Sequence, residues 1–94
     1  AVVGKSALQN HGVFDVLNVS DGGIFVRSDQ PLEVGEEVKF TLELEAIKKT
    51  LDMTGVVIRR GQFAGSAGFA IEFNRLNPAY KRILHEFVNQ HVTE

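Results

Sequence analysis

The residues best suited to chemistry lie in one short segment, Asn18 to Gly23, between two apolar runs. The segment combines an amide, a hydroxyl and a carboxylate with two adjacent glycines. Asp-Gly and Gly-Gly pairs are common in hairpin turns, and local bonds from Asn18 and Ser20 would suit such a turn. The alternative is anion binding, because glycine lets backbone N–H groups approach a ligand closely. The segment alone is compatible with both interpretations.

No catalytic or metal-binding constellation is evident in the rest of the sequence. His85 and His91 are six residues apart, whereas a spacing of three or four would place two ligands on one helix face. Ser20 has no histidine at a spacing typical of a nucleophile and its base. The sequence has no cysteine, which excludes thiolate catalysis, disulfides and zinc–thiolate sites. We therefore expect neither an enzyme nor a bound cofactor or metal.

Length and charge restrict the class of protein. The 94 residues are enough for a single domain with one modest core, which we predict over residues 1–94. The net charge is −2 and the basic pairs are scattered, so DNA or RNA binding is disfavoured, whereas a small anionic ligand is not. No apolar run is long enough to insert into a membrane, and no signal peptide is recognisable. These features predict a cytoplasmic protein.

Alternation of apolar and polar residues predicts β-strands over most of the chain. The clearest case is Glu37 to Glu45, where Val38, Phe40, Leu42 and Leu44 share one face. The other predicted strands are, in chain order, a weakly patterned one near Ala1 to Val3, then Gly12 to Asn18, Gly23 to Ser28, Thr50 to Arg60 and Phe69 to Phe73. Gly55 is expected to mark a bulge or bend, and residues 61–65 a connection.

The pattern changes to helical spacing after Asn74. Asn77 suits an N-cap and Pro78 the first helical position. The apolar stripe that follows consists of Tyr80, Ile83, Leu84, Phe87 and Val88. Strands followed by one helix predict a mainly β fold, an antiparallel barrel or sandwich that the helix closes.

These residues resemble a known family. The pattern Asn18-x-Ser20-x-x-Gly23 matches the [D/N]xSxxG signature of PilZ domains, the bacterial receptors for the second messenger cyclic di-GMP. Further segments also resemble the family: Gly23 to Arg27, Pro31 to Gly35, Gly55 to Val57, Gly68 to Phe73 and the closing helix. The resemblance therefore covers nearly the whole chain.

The resemblance implies a six-stranded antiparallel barrel, about residues 1–74, with one C-terminal helix, about residues 78–91. It implies a non-enzymatic regulatory domain, for example in motility or biofilm regulation, that signals to a protein partner. It also implies that Asn18, Ser20 and Gly23 contact cyclic di-GMP, together with Asp21 and Gly22 of the same turn. A hydroxyl and turn amides suit the two phosphodiesters, and the Asn18 amide suits a guanine edge.

The sequence departs from the family in one respect. PilZ receptors carry an RxxxR motif before the first strand, in which guanidinium groups stack on guanine and grip phosphate. No RxxxR occurs in these 94 residues, and Lys5 supplies the positive charge before Asn18. Two interpretations follow: the motif lies upstream of Ala1, or the chain is a degenerate member that does not bind cyclic di-GMP and acts as a protein-interaction module.

Overall fold

Six antiparallel strands close into a barrel in the computed structural model, which describes residues 2–28 and 32–91, the side chain of His91 excepted. The elements are β1 (Gly4–Leu8), β2 (Gly12–Val19), β3 (Gly23–Arg27), β4 (Glu37–Leu44), β5 (Lys49–Phe63), β6 (Ser66–Phe73) and α1 (Pro78–His91). The order around the barrel is β1-β2-β3-β6-β5-β4. The predicted mainly β fold, a six-stranded barrel with one C-terminal helix, is confirmed.

The first strand lies later than the sequence pattern indicated. We expected it near Ala1 to Val3, but β1 spans Gly4–Leu8 and pairs with both β2 and β4, which closes the barrel. Its buried positions are Gly4, Ser6 and Leu8, so that two of the three have no apolar side chain. This composition explains why hydrophobic alternation marks the strand so weakly.

β5 is longer than predicted and its irregularity lies elsewhere. Residues 61–63, expected in a connection, pair with β6, and the turn consists of Ala64 and Gly65, both with positive φ (52° and 84°). The predicted bulge at Gly55 is wrong, because the pairing shifts between Val57 and Arg59. Gly55 instead allows close packing: a Cβ there would lie 2.5 Å from the Glu72 carbonyl oxygen.

The core fills the barrel and continues onto α1. Phe40 and Phe69 are buried as predicted, and Phe73 is partly buried with its ring stacked on that of Phe40, the centroids 6.2 Å apart. From α1, Leu84 and Phe87 are buried in the same cluster, and the rest of the predicted apolar stripe packs against it: Tyr80, Ile83 and Val88. The helix therefore completes the core.

The start of α1 is also as predicted. Asn77 Oδ1 accepts a hydrogen bond from the Tyr80 N–H at 2.8 Å, which is the geometry of an N-cap. Pro78 occupies the first helical position. Within the described ranges α1 is the one helix, and its 14 residues are too few to cross a bilayer.

Replacing Ser6 by alanine is expected to raise the free energy of unfolding by about 1 kcal/mol. Ser6 is fully buried, and its hydroxyl has no hydrogen-bond partner among the described residues, so the folded state bears an uncompensated desolvation cost. Urea denaturation of both proteins measures the difference. Ser66→Ala, at a half-buried position at the start of β6, is the control and should change the value by less than about 0.5 kcal/mol. A Ser6→Ala protein less stable than the parent would contradict this account.

Candidate functional site

Ser20 holds the turn between β2 and β3 together. Its N–H donates to the Gly23 carbonyl at 2.9 Å, and its hydroxyl oxygen accepts from the N–H groups of Gly23 at 3.1 Å and Gly22 at 3.3 Å. The Gly22 carbonyl accepts from the Phe73 N–H at 2.8 Å, which ties the turn to the end of β6. Both glycine amides are thus bonded within the turn, and positive charge for an anion has to come from side chains.

The turn forms one end of a groove on the outer wall of the barrel, with a volume of about 280 Å³. Four of the five predicted ligand residues line it: Asn18, Ser20, Gly22 and Gly23. Asn18 is half-buried, and its side chain makes no hydrogen bond to any described residue. Its amide is therefore available to a ligand.

Asp21, the fifth predicted ligand residue, does not line the groove. Its Oδ2 lies 3.4 Å from Nδ1 of His85 on α1, and Nε2 of His85 lies 3.1 Å from Nδ2 of Asn89. The Asp21 and His85 side chains are both about two-thirds exposed, so this contact contributes little to stability. It does connect the turn to the C-terminal helix.

Lys5, the basic residue before Asn18, already forms an ion pair with an acidic residue. Lys5 Nζ lies 2.8 Å from Asp15 Oδ1, and Arg27 contacts the other carboxylate oxygen of Asp15. The hydrogen bond to Asp15 raises the pKa of Lys5, while those from Lys5 and Arg27 lower the pKa of Asp15. This cluster links the outer faces of β1, β2 and β3, away from the groove.

The opposite wall of the groove, which sequence reasoning did not identify, comes from β5 and β6. It presents two charged residues, an amide and an aromatic ring: Arg59, Glu72, Gln62 and Phe63. The one local indication in the sequence was the loss of apolar alternation at Arg59-Arg60, directly after the shift in the β5–β6 pairing between Val57 and Arg59. Barrel closure, which brings this wall next to the turn, is a long-range feature.

The comparisons with known proteins agree with this architecture. The profile of the family described as PilZ domain matches residues 5–90. The chain belongs to the PilZ domain family. Among solved structures, the chain is similar to one titled "Structure of Bacillus subtilis Inhibitor of motility (MotI/DgrA)", with a TM-score of 0.76 and 19% sequence identity. The match covers 97% of this chain and 49% of that one, so this chain spans about half the length of that protein. No curated protein matches.

This PilZ domain has a second, larger groove of about 650 Å³ that none of the predicted ligand residues line. Its walls come from β1, the start of β2, β4, β5 and the residues before and at the start of α1, among them Ala7, Thr41, Thr54 and Tyr80. The Tyr80 hydroxyl accepts a hydrogen bond from the Asp52 N–H at 3.4 Å, which connects α1 to β5. In the part of the chain that the structure describes, no group of acidic or histidine side chains is arranged to hold a metal ion.

Proposed function

We propose that this PilZ domain is a non-enzymatic regulatory domain that binds cyclic di-GMP in the groove beside the turn. The observation that supports the proposal best is that the three signature residues, Asn18, Ser20 and Gly23, line one groove together with an arginine, Arg59. The Asn18 amide is available to pair with a guanine edge. The exposed Ser20 hydroxyl donates to the Gly23 carbonyl at 3.3 Å, and it can donate to a phosphate oxygen by exchanging that bond. A volume of about 280 Å³ is near the lower limit for ligand pockets, so two nucleotides would remain partly exposed.

The contact between Asp21 and His85 supports a route by which ligand binding could reach α1. If the ligand draws Asp21 towards the groove, His85 loses its acidic neighbour and the exposed surface of α1 changes. A protein partner that prefers one of these two states then detects the ligand, since a ligand shifts an equilibrium by its differential affinity for the states.

Calorimetric titration with cyclic di-GMP tests the proposal. We expect saturable heat from the parent chain and at least about tenfold weaker binding by Asn18→Ala, which loses a specific amide pair. The Asn18 side chain makes no hydrogen bond to a described residue, so the thermal stability of the Asn18→Ala protein should be close to that of the parent. Gln9→Ala, which removes an exposed amide outside the groove, is the matched control and should bind like the parent.

No heat from a chain that includes the native N-terminus would overturn the proposal, as would equal binding by Asn18→Ala and Gln9→Ala. The first result would favour the second candidate function, a degenerate PilZ domain that acts as a protein-interaction module. The observation that favours this candidate is the absence of an RxxxR motif from the 94 residues.

A further inference from the structure

We propose that Arg59 and Phe63 of β5 form the second half of the ligand site, in which Arg59 binds a phosphodiester and Phe63 stacks on a guanine base. The inference rests on the proposed function, because it concerns the same groove and the same ligand. It assigns a role to residues that lie outside the family signature.

Arg59 has no counter-ion among the described residues, although the acidic residue Glu72 lines the same groove. Lys5 and Arg27 share Asp15, whereas Arg59 makes no ion pair with any described residue. Its guanidinium lies over bare backbone, since a Cβ on Gly61 would be 2.7 Å from Arg59 Nη1. A guanidinium presents five donors in a planar fork that matches phosphate oxygens. Because Ser20 occupies the amides of the turn, Arg59 is the group on this surface best suited to a phosphodiester.

The acidic residue of the groove lies at a different point along it. In the strand pairing, Arg59 is opposite Ala70, while Glu72 is opposite Gly23 of the turn. Two residues along a strand correspond to about 7 Å, so Glu72 sits at the turn end of the groove. A carboxylate there can accept from the N–H donors of a guanine edge. The strand pairing places Asn18 level with Arg59, on the far side of β3 and β6 from it. The phosphate position at Arg59 then lies between two base positions.

Phe63 provides the second base position. In the pairing of β5 with β6, Phe63 lies four residues beyond Arg59, in the direction away from the turn between β2 and β3. Its side chain is 38% exposed, and its ring centroid is 6.0 Å from that of Phe25. Phe25 is buried in a small cluster with Leu17 and Ala70, so the ring of Phe63 rests on a fixed support. An exposed aromatic ring held in place is a surface on which a base can stack.

Two adjacent arginines make a matched experiment possible. Arg59 and Arg60 are both exposed, but only Arg59 lines the groove. In titrations with cyclic di-GMP we expect Arg59→Gln to bind about 10-fold to 100-fold more weakly, as for the loss of a charge-assisted hydrogen bond. Phe63→Ala should bind about tenfold more weakly, because one stacked base is lost. Arg60→Gln should stay within about twofold of the parent, and Arg59→Lys should fall between Arg59→Gln and the parent.

The outcomes separate this inference from the proposed function. If the parent binds and Asn18→Ala is weakened, but Arg59→Gln behaves like Arg60→Gln, the inference is overturned and the proposed function stands. If a parent chain that includes the native N-terminus gives no heat, both are overturned. Thermal melts of each variant, which should match the parent within a few degrees, exclude unfolding as the cause of weak binding.

Discussion

Replacing Phe87 by alanine is expected to lower the free energy of unfolding by about 3–5 kcal/mol, the usual cost of removing a buried aromatic side chain. Phe87 is 2% exposed and belongs to the same cluster as the inward-facing residues of the strands. The neighbouring turn of α1 contributes Leu84, which is fully buried. Removal of the ring leaves a cavity where the helix meets the barrel, so both lost burial and lost packing contribute.

The measurement is urea denaturation followed by circular dichroism, with the adjacent exposed residue as control. Glu86→Ala should change the free energy of unfolding by less than about 0.5 kcal/mol, because the side chain is solvated. A loss of less than about 1 kcal/mol for Phe87→Ala would mean that α1 is not an integral part of the core. The expected result would show that packing of α1 on the barrel contributes a large part of the folding stability.

The second large effect is expected at the glycine of the signature. Gly23→Ala should lower the free energy of unfolding by about 2–3 kcal/mol through overpacking. A Cβ on Gly23 would lie 2.3 Å from the carbonyl oxygen of Ile71 and 3.2 Å from Cα of Glu72. These are backbone atoms of the strand that pairs with β3, so they can move only if the pairing of β3 with β6 is disturbed.

Gly22 is the matched control for this prediction, since a Cβ there would meet nothing within 4 Å. Gly22→Ala should therefore cost less than about 0.5 kcal/mol in the same denaturation experiment. Equal losses for the two variants would contradict the packing explanation. The comparison also separates two roles of the signature: Gly23 is required for strand packing, so weak binding by Gly23→Ala would not identify a ligand contact, whereas weak binding by Asn18→Ala would.

The parts of the fold that local pattern determines were predictable. The alternation from Glu37 onwards gave β4, and Asn77 with Pro78 gave the start of α1. β1 was misplaced because its buried positions include Gly4 and Ser6, which carry no hydrophobic pattern. The length of β5 was underestimated because its last three residues are exposed or half-buried on both sides of the strand.

The candidate site was predictable only on one side. The turn residues are contiguous, so their types and spacing could be read directly, and four of the five line the groove. Arg59 and Phe63 are about 40 residues away in sequence, and the barrel order β3-β6-β5 brings them to the same surface. Asp21 is directed to His85, 64 positions later in the chain, a contact that no local pattern could indicate.

The hydrogen bonds of Ser20 have a thermodynamic consequence for any ligand of this turn. Because the hydroxyl fixes both glycine amides, the two most conformationally permissive residues of the signature lose their backbone entropy when the chain folds. A ligand then meets a preorganised surface and does not have to order these residues on binding. Affinity at the turn therefore depends on the few side chains that contact the ligand. The entropy that the glycines lose is a cost of folding, and it lowers the free energy of unfolding instead of the binding affinity.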